Sequence, residues 1–131
     1  MPIDHVLLAV ADVRASAAVL WRRHGLAAIE GGVHPGWGTA NWLVPLGSSY
    51  LELVYVDDPV VAAESAFGRR ARDVIAGGGG PYAWAVAPAD VEAVAARLRL
   101  PLVGGSRRRP DGRVVTWRTV GLGIALEDPS R

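Results

Sequence analysis

Apolar runs and amphipathic stretches alternate along the first half of the chain in an order that predicts strand, helix and three further strands. The apolar run Ile3–Val10 predicts a buried strand, and Asp12 stands where the N-cap of a helix is expected. Apolar residues then recur at helical spacing over Val13–His24, and Gly25 ends that pattern. Further strands are predicted over Leu26–Glu30, Thr39–Leu46 and Ser49–Val56.

The same order of elements returns in the second half. Residues 81–91 align with residues 3–13 without a gap, so that Asp90 takes the position of Asp12 at the start of the next helix. The strands predicted around that helix are Tyr82–Ala87, Pro101–Val103, Arg113–Val120 and Gly123–Glu127. We therefore predict an α+β fold made of two βαβββ modules, about 1–56 and 81–131, joined by a connector helix within 57–80 into a single domain.

Composition and charge exclude several classes of protein. The chain has 131 residues, of which 50% are hydrophobic and 21% charged, a balance typical of globular domains. The absence of cysteine excludes disulfides and thiolate metal sites, and a net charge of +1 gives no general attraction to nucleic acid or anionic membranes. No signal-peptide core or membrane-spanning run occurs, so we expect a cytoplasmic protein. Sheet edges and apolar composition favour a homodimer.

Several familiar motifs are missing or incomplete. The glycines at 77–80 lack the Lys and Ser/Thr of a phosphate-binding loop, so no nucleotide cofactor is expected. The chain has no nucleophile elbow and no His-Glu-x-x-His helix. The arginines at 107–109 are interpreted as a solvated hairpin tip, because the stacking aromatics of a nucleic-acid surface do not accompany them.

Three side chains on predicted strands have the chemistry of metal ligands. His5 and Glu52 interrupt apolar strands, and Glu127 lies at the end of the last predicted strand. Nitrogen and carboxylate ligands suit Zn²⁺, Mn²⁺, Fe²⁺ or Ni²⁺. Each has an ordinary alternative: His5 as a hydrogen-bonded core residue, Glu52 paired with an arginine such as Arg118, and Glu127 facing solvent.

Several motifs resemble the glyoxalase-like branch of the vicinal-oxygen-chelate superfamily over most of the chain. The most specific are His-Pro-Gly-Trp-Gly at 34–38 and Tyr-Leu-Glu-Leu at 50–53, and the second module adds Trp84, Asp90, the turn 109–112 and Trp117-Arg118. The resemblance implies paired curved mixed sheets around a cupped groove. It also implies one divalent ion with four ligand positions, which in this chain are occupied by His5, Glu52, Ala83 and Glu127. Ala83 cannot bind a metal, so three of the four ligands are present.

Two functions follow from the resemblance. In the first, the protein is a lyase, isomerase or dioxygenase acting on a small oxygenated compound: a metal held by His5, Glu52 and Glu127 polarises an oxygen, and a Glu or His34 shuttles a proton. In the second, it is a metal-free protein that sequesters a drug-like or toxic compound. The residues placed at the pocket are His34, Trp37, Asn41, Trp42, Trp84, Trp117 and Arg118. The stretch 34–38 could equally be a structural turn in which Trp37 covers the core, and Arg118 a surface residue.

Overall fold

The computed structural model describes residues 2–122. Its elements are β1 (Ile3–Ala9), α1 (Val13–His24), β2 (Ile29–His34), β3 (Thr39–Pro45), β4 (Tyr50–Val56), α2 (Pro59–Ala63), α3 (Ala66–Ala76), β5 (Gly80–Val86), α4 (Val91–Leu98), β6 (Leu102–Arg108) and β7 (Val114–Val120). The predicted last strand Gly123–Glu127 lies outside the described residues. Over residues 2–122, no helix is long and apolar enough to cross a membrane.

Seven strands form one mixed sheet in the order β5-β1-β4-β3-β2-β6-β7. β1 runs parallel to β4, and the other neighbouring pairs are antiparallel. The second module continues the first on both sides, because β5 pairs with β1 and β6 pairs with β2. The sheet curves so that residues of all seven strands line one cavity. The predicted α+β fold with a cupped groove is confirmed.

The two aligned aspartates cap equivalent helices, as predicted. The Asp12 carboxylate accepts from the backbone N–H of Ala15 at 3.0 Å, and Asp90 accepts from that of Ala93 at the same distance. Such a bond satisfies one of the helix-end donors that lack a partner within the helix. α1 ends at Gly25, whose φ of 66° lies in the left-handed region.

The second strand of each module lies further along the chain than predicted. β2 covers Ile29–His34 instead of Leu26–Glu30, and β6 covers Leu102–Arg108 instead of Pro101–Val103. Each strand contains a glycine pair, which hides the strand pattern in the sequence. The structure explains one glycine in each pair: a Cβ at Gly31 would overlap the Asn41 side chain, and one at Gly105 would overlap the Trp117 indole. These glycines let a side chain of the neighbouring strand lie across the sheet.

The connector contains two helices where one was expected. Asp58 caps α2 through bonds from the backbone N–H groups of Val60 and Val61, with Pro59 at the first helical position. Ser65 then caps α3 by accepting from the Gly68 N–H at 2.9 Å. The short α2 carries no long apolar stripe, so its helical period was not visible in the sequence.

The connector fixes the loop that follows β2. Ser65 Oγ donates to the Trp37 carbonyl at 2.9 Å, and the Gly38 carbonyl accepts from the N–H groups of Asp57 and Asp58. Gly38 has φ of 72°, and a Cβ there would overlap the backbone of α2. The stretch 34–38 is therefore both a tight turn and a close contact between the first module and the connector.

Two apolar clusters lie on opposite faces of the sheet. The cluster beside the cavity contains Leu7, Ala9, Val54, Phe67, Ala71 and Tyr82. The outer cluster, under α1, contains Val13, Val44 and Leu53, with Trp42 packed against it. Alternation along β3 and β4 explains the division, because successive side chains of a strand point to opposite faces.

Two glycine substitutions in the turn test how closely the connector is packed. Gly36 and Gly38 both have positive φ, but only Gly38 lies against neighbouring backbone. We expect Gly36→Ala to lower the free energy of unfolding by about 1 kcal/mol through backbone strain alone. Gly38→Ala adds a backbone overlap and should cost about 3 kcal/mol or more. Urea denaturation measures both, and equal losses would contradict the packing described here.

Candidate functional site

The concave face of the sheet encloses a cavity of about 480 Å³. Four polar side chains reach it from four adjacent strands: His5 on β1, Glu52 on β4, Asn41 on β3 and His34 on β2. Asn41, His34 and Glu52 are buried, with relative exposures of 3%, 2% and 6%. A polar row across an otherwise apolar surface is expensive to bury unless its members bond to one another.

Glu52 is at the centre of this row. Its Oε1 accepts a hydrogen bond from Asn41 Nδ2 at 2.6 Å, and its Oε2 lies 3.5 Å from His5 Nε2. Burial raises the pKa of Glu52, against the lowering effects of the Asn41 bond and of the charges on His5 and Arg107. A carboxyl group with a raised pKa and one oxygen directed at a histidine is suited to exchange protons.

His34 holds Asn41 in place. Its Nδ1 lies 2.8 Å from Thr39 Oγ1, and its Nε2 lies 3.3 Å from Asn41 Nδ2. The amide nitrogen only donates, so Nε2 is the accepting nitrogen and Nδ1 carries the proton. Burial, and then the charge of Arg107, lower the pKa of His34 to about 4. His34 Nε2 also lies 3.5 Å from Glu52 Oε1. With a partner at each ring nitrogen, His34 fixes the orientation of Asn41, and the proton shuttle expected at His34 stays a prediction.

His5 is oriented from two sides. Its Nδ1 lies 2.7 Å from the Asp4 carboxylate, so Nδ1 donates and Nε2 is left toward Glu52. Its ring stacks on Tyr50 with centroids 4.6 Å apart and planes 9° apart, because parallel pairing of β1 and β4 places the two residues side by side. Burial raises the pKa of Tyr50 to about 12, so the phenol is neutral. A carboxylate behind a histidine is also how proteins orient metal-binding imidazoles.

An aromatic group forms the wall near His34. Trp37 stacks on Phe67 with centroids 4.6 Å apart, and the Trp117 ring lies 6.2 Å from that of Trp37. The Phe67 carbonyl accepts from the Tyr82 hydroxyl at 2.8 Å, which fixes α3 against β5. An apolar wall opposite a few polar groups is the usual construction of a small-molecule site.

The other residues expected at the pocket have different positions. Trp42 does not line the cavity: it points to the outer face, next to inward-pointing Asn41, and its ring packs beneath Arg14 at 5.4 Å. Trp84 lies at the rim and is 68% exposed. Arg118 also lines the rim, and it pairs with Glu92 rather than with Glu52. Glu127 lies outside the described residues.

Position 83 and Arg107 complete the account of the site. Ala83 lines the cavity on β5, where the resemblance implies a fourth ligand. Arg107, interpreted from the sequence as part of a solvated tip, instead lies within β6 and lines the cavity. Arg107 was not predicted at the cavity because the predicted strand ended at Val103, four residues before it. Tyr50 and Phe67 were missed as well, since each is an ordinary apolar position in its own element.

Comparison with known proteins gives one family. A family model described as "Glyoxalase-like domain" matches residues 3–129. A search of curated protein sequences found no match.

Solved structures share the fold at low sequence identity. A hypothetical protein from Staphylococcus aureus superposes with a TM-score of 0.70 at 19% identity over 88% of this chain, which spans only 50% of that protein. Methylmalonyl-CoA epimerase from Streptomyces coelicolor, in complex with 2-nitronate-propionyl-CoA, gives 0.65 at 20% identity, covering 93% of this chain and 96% of the enzyme. Methylmalonyl-CoA epimerase from Mycobacterium tuberculosis gives 0.61 at 19%, covering 94% and 90%.

The titration of His34 tests its buried position. We expect one histidine Cε1–H resonance, absent in His34→Gln, to titrate near pH 4. The folded-state pKa lies below the unfolded value of 6.5, so the unfolded state binds the extra proton and stability falls as pH drops from about 6.5 to about 4. This group contributes at most about 1.4 kcal/mol per pH unit to that fall. A midpoint above pH 6 would refute the buried neutral ring.

Glu52 has the opposite effect on stability. Its folded-state pKa is raised above 4.5, so stability associated with the protonated form is lost as pH rises through the folded-state value. Glu52→Gln keeps an acceptor for Asn41 and removes the charge. We therefore expect the variant to gain stability relative to wild type as the pH rises above 4.5 in urea titrations, whereas Glu30→Gln, at an exposed position, should show no such gain. If the difference in free energy of unfolding between Glu52→Gln and wild type did not change with pH, Glu52 would not be desolvated.

Proposed function

Because the chain belongs to the glyoxalase-like domain family, a family of the vicinal-oxygen-chelate superfamily, we propose that it is an enzyme that moves a proton on a small oxygenated compound. The observation that carries the proposal is the buried Glu52, with one oxygen held by Asn41 and the other directed at His5. A lyase or isomerase needs a base of this kind beside its substrate. The cavity of about 480 Å³ is of the size that takes a small molecule.

In this proposal Glu52 accepts a proton from the substrate, and His5 stabilises the negative charge that is left on the substrate. The raised pKa makes the Glu52 carboxylate a stronger base than an exposed one. The Asn41 bond to Oε1 fixes the plane of the carboxylate and leaves Oε2, the oxygen directed at His5, for the substrate proton or for a metal ion. His34 fixes Asn41, and the wall of Trp37, Phe67 and Trp117 reduces access of water.

A divalent ion is the cofactor we propose for this site, with His5, Glu52 and Glu127 as its ligands. His5 Nε2 and Glu52 Oε2 lie 3.5 Å apart, with donors of the types that Zn²⁺, Mn²⁺, Fe²⁺ and Ni²⁺ accept, and Asp4 supports the His5 ring as in known metal sites. Among residues 2–122 no three His, Asp or Glu side chains form a metal-binding group, and in this proposal Glu127 is the third protein ligand. Such an ion would polarise a substrate carbonyl.

The second candidate is a metal-free protein that binds a drug-like or toxic compound. Ala83 at the fourth ligand position favours it, since an apolar residue there weakens any metal site. The stacked Trp37 and Phe67 also offer a surface to flat apolar ligands. A cytoplasmic location and a homodimer stay predictions under either candidate.

Metal content separates the two candidates. We expect untagged protein, purified without chelators and titrated with each of the four ions, to hold about one ion per chain by mass spectrometry. His5→Ala and Glu52→Ala should both lose it, while His24→Ala, an exposed histidine on α1, should retain it. Failure of the wild-type protein to take up any of the four ions would sink the metal-dependent mechanism.

Solvent exchange tests the proton transfer itself. In D₂O, we expect enzyme-dependent deuterium incorporation next to a carbonyl, followed by NMR over a panel of 2-oxo acids, hydroxyketones and acyl thioesters. Methylmalonyl-CoA belongs in the panel because the structural neighbours are named for it. Glu52→Gln should lower the rate at least about 100-fold, as loss of a general base does, and Glu30→Gln should not. Binding without exchange across the panel would favour the second candidate.

A further inference from the structure

We infer that the cavity contains a subsite for an anionic oxygen group at Arg107, and that the substrate therefore carries a carboxylate or a phosphate. The inference deepens the proposed function. It rests on that function only in treating the bound molecule as a substrate. The binding that it requires can be measured without turnover. Nothing in the sequence motifs of the site assigns a role to Arg107.

Strand geometry brings Arg107 to the reacting end of the cavity. Antiparallel pairing of Val33 with Arg108 places Arg107 across from His34, at the point where the two modules meet. Arg107 and Gly105 share the inward face of β6, and Arg108 is exposed. Arg107, His34 and Glu52 line the same cavity, so the guanidinium and the polar row face one enclosed space.

The repeat supports the same placement. The sequence at 29–34 is Ile-Glu-Gly-Gly-Val-His, and the sequence at 102–107 is Leu-Val-Gly-Gly-Ser-Arg. When the two glycine pairs are aligned, Arg107 takes the position of His34. At Gly32 a Cβ would overlap the Arg108 carbonyl and lie 3.0 Å from Arg107 Cγ. The missing side chain at Gly32 thus leaves space for the methylene stem of Arg107.

Within residues 2–122 the guanidinium of Arg107 has no anionic partner. The nearby arginines of the hairpin and β7 do pair: Arg109 and Arg113 with Asp111, and Arg118 with Glu92. Arg107 forms no ion pair in this part of the chain, and its Nε is buried without a hydrogen-bond acceptor. A buried charged donor without an acceptor is costly, and an anion of the ligand would offset that cost.

The chemistry of the group defines the ligand class. Guanidinium offers a planar fork of N–H donors that matches two oxygens of a carboxylate or phosphate. An anion bound there places the neutral part of the molecule between Glu52 and the aromatic wall of Trp37 and Trp117. A 2-oxo acid or a phosphate ester of a small apolar compound meets both conditions.

The test compares ligands that differ only in charge. Phenylpyruvate and phenylacetone share a ring and a ketone, but only the first carries a carboxylate; phenyl phosphate and inorganic phosphate complete the set. NMR titration, following the arginine Nε–H and tryptophan indole N–H resonances, gives affinities for wild type, Arg107→Gln and the matched control Arg108→Gln. Circular dichroism checks that each variant is folded.

We expect wild type and Arg108→Gln to bind phenylpyruvate about 10- to 100-fold more tightly than phenylacetone, as one charge-assisted bond pair implies. Arg107→Gln should lose that preference while still binding phenylacetone. Glu52→Gln, inactive under the proposed function, should retain the preference, so that failure of catalysis and failure of the subsite are distinguished. Equal affinities in wild type, or a preference that survives in Arg107→Gln, would overturn the inference. So would failure to bind any of the three anions, the result expected if a carboxylate of this chain already occupies Arg107.

Discussion

The burial of one carboxylate, Glu52, is the constraint on which the rest of the site depends. A charge on the inner face of an apolar sheet is tolerated only where donors and cations compensate it. Here Asn41 donates to one oxygen, His5 faces the other, and His34 and Asp4 hold those two residues in turn. These partners come from three strands, β1, β2 and β3, so the curvature of the sheet is what makes the compensation possible.

The glycine pairs belong to the same constraint. Asn41 reaches Glu52 while lying over Gly31, where any side chain would overlap it. Trp117 lies over Gly105 in the same way and completes the wall beside His34. The glycine pairs at 31–32 and 104–105 interrupt the strand pattern in the sequence. In the structure they are the places where Asn41 of the polar row and Trp117 of the aromatic wall lie across the sheet.

This explains which features were predictable from the sequence. The module order, both aspartate caps, and the positions of His5, Asn41 and Glu52 at the cavity follow from periodicity, capping and the resemblance, which are local signals. β2 and β6 were misplaced because their glycines serve contacts with other strands. Trp42 could have been assigned to the outer face by alternation from Asn41 alone. Arg107 could not have been placed, because its position depends on pairing between modules.

The two modules supply unlike halves of the cavity. At the first strand of each module, His5 has Ala83 as its counterpart, and at the second strand His34 has Arg107. The first module therefore supplies His5 and Glu52, for which we propose proton exchange, and the second supplies the positive charge of Arg107 and the Trp117 ring. An arginine opposite His34 also contributes to keeping that histidine neutral, and hence able to accept from Asn41. The charge brought by the second module thus stabilises the arrangement of the first, which couples the two halves of the cavity through the β2–β6 pair.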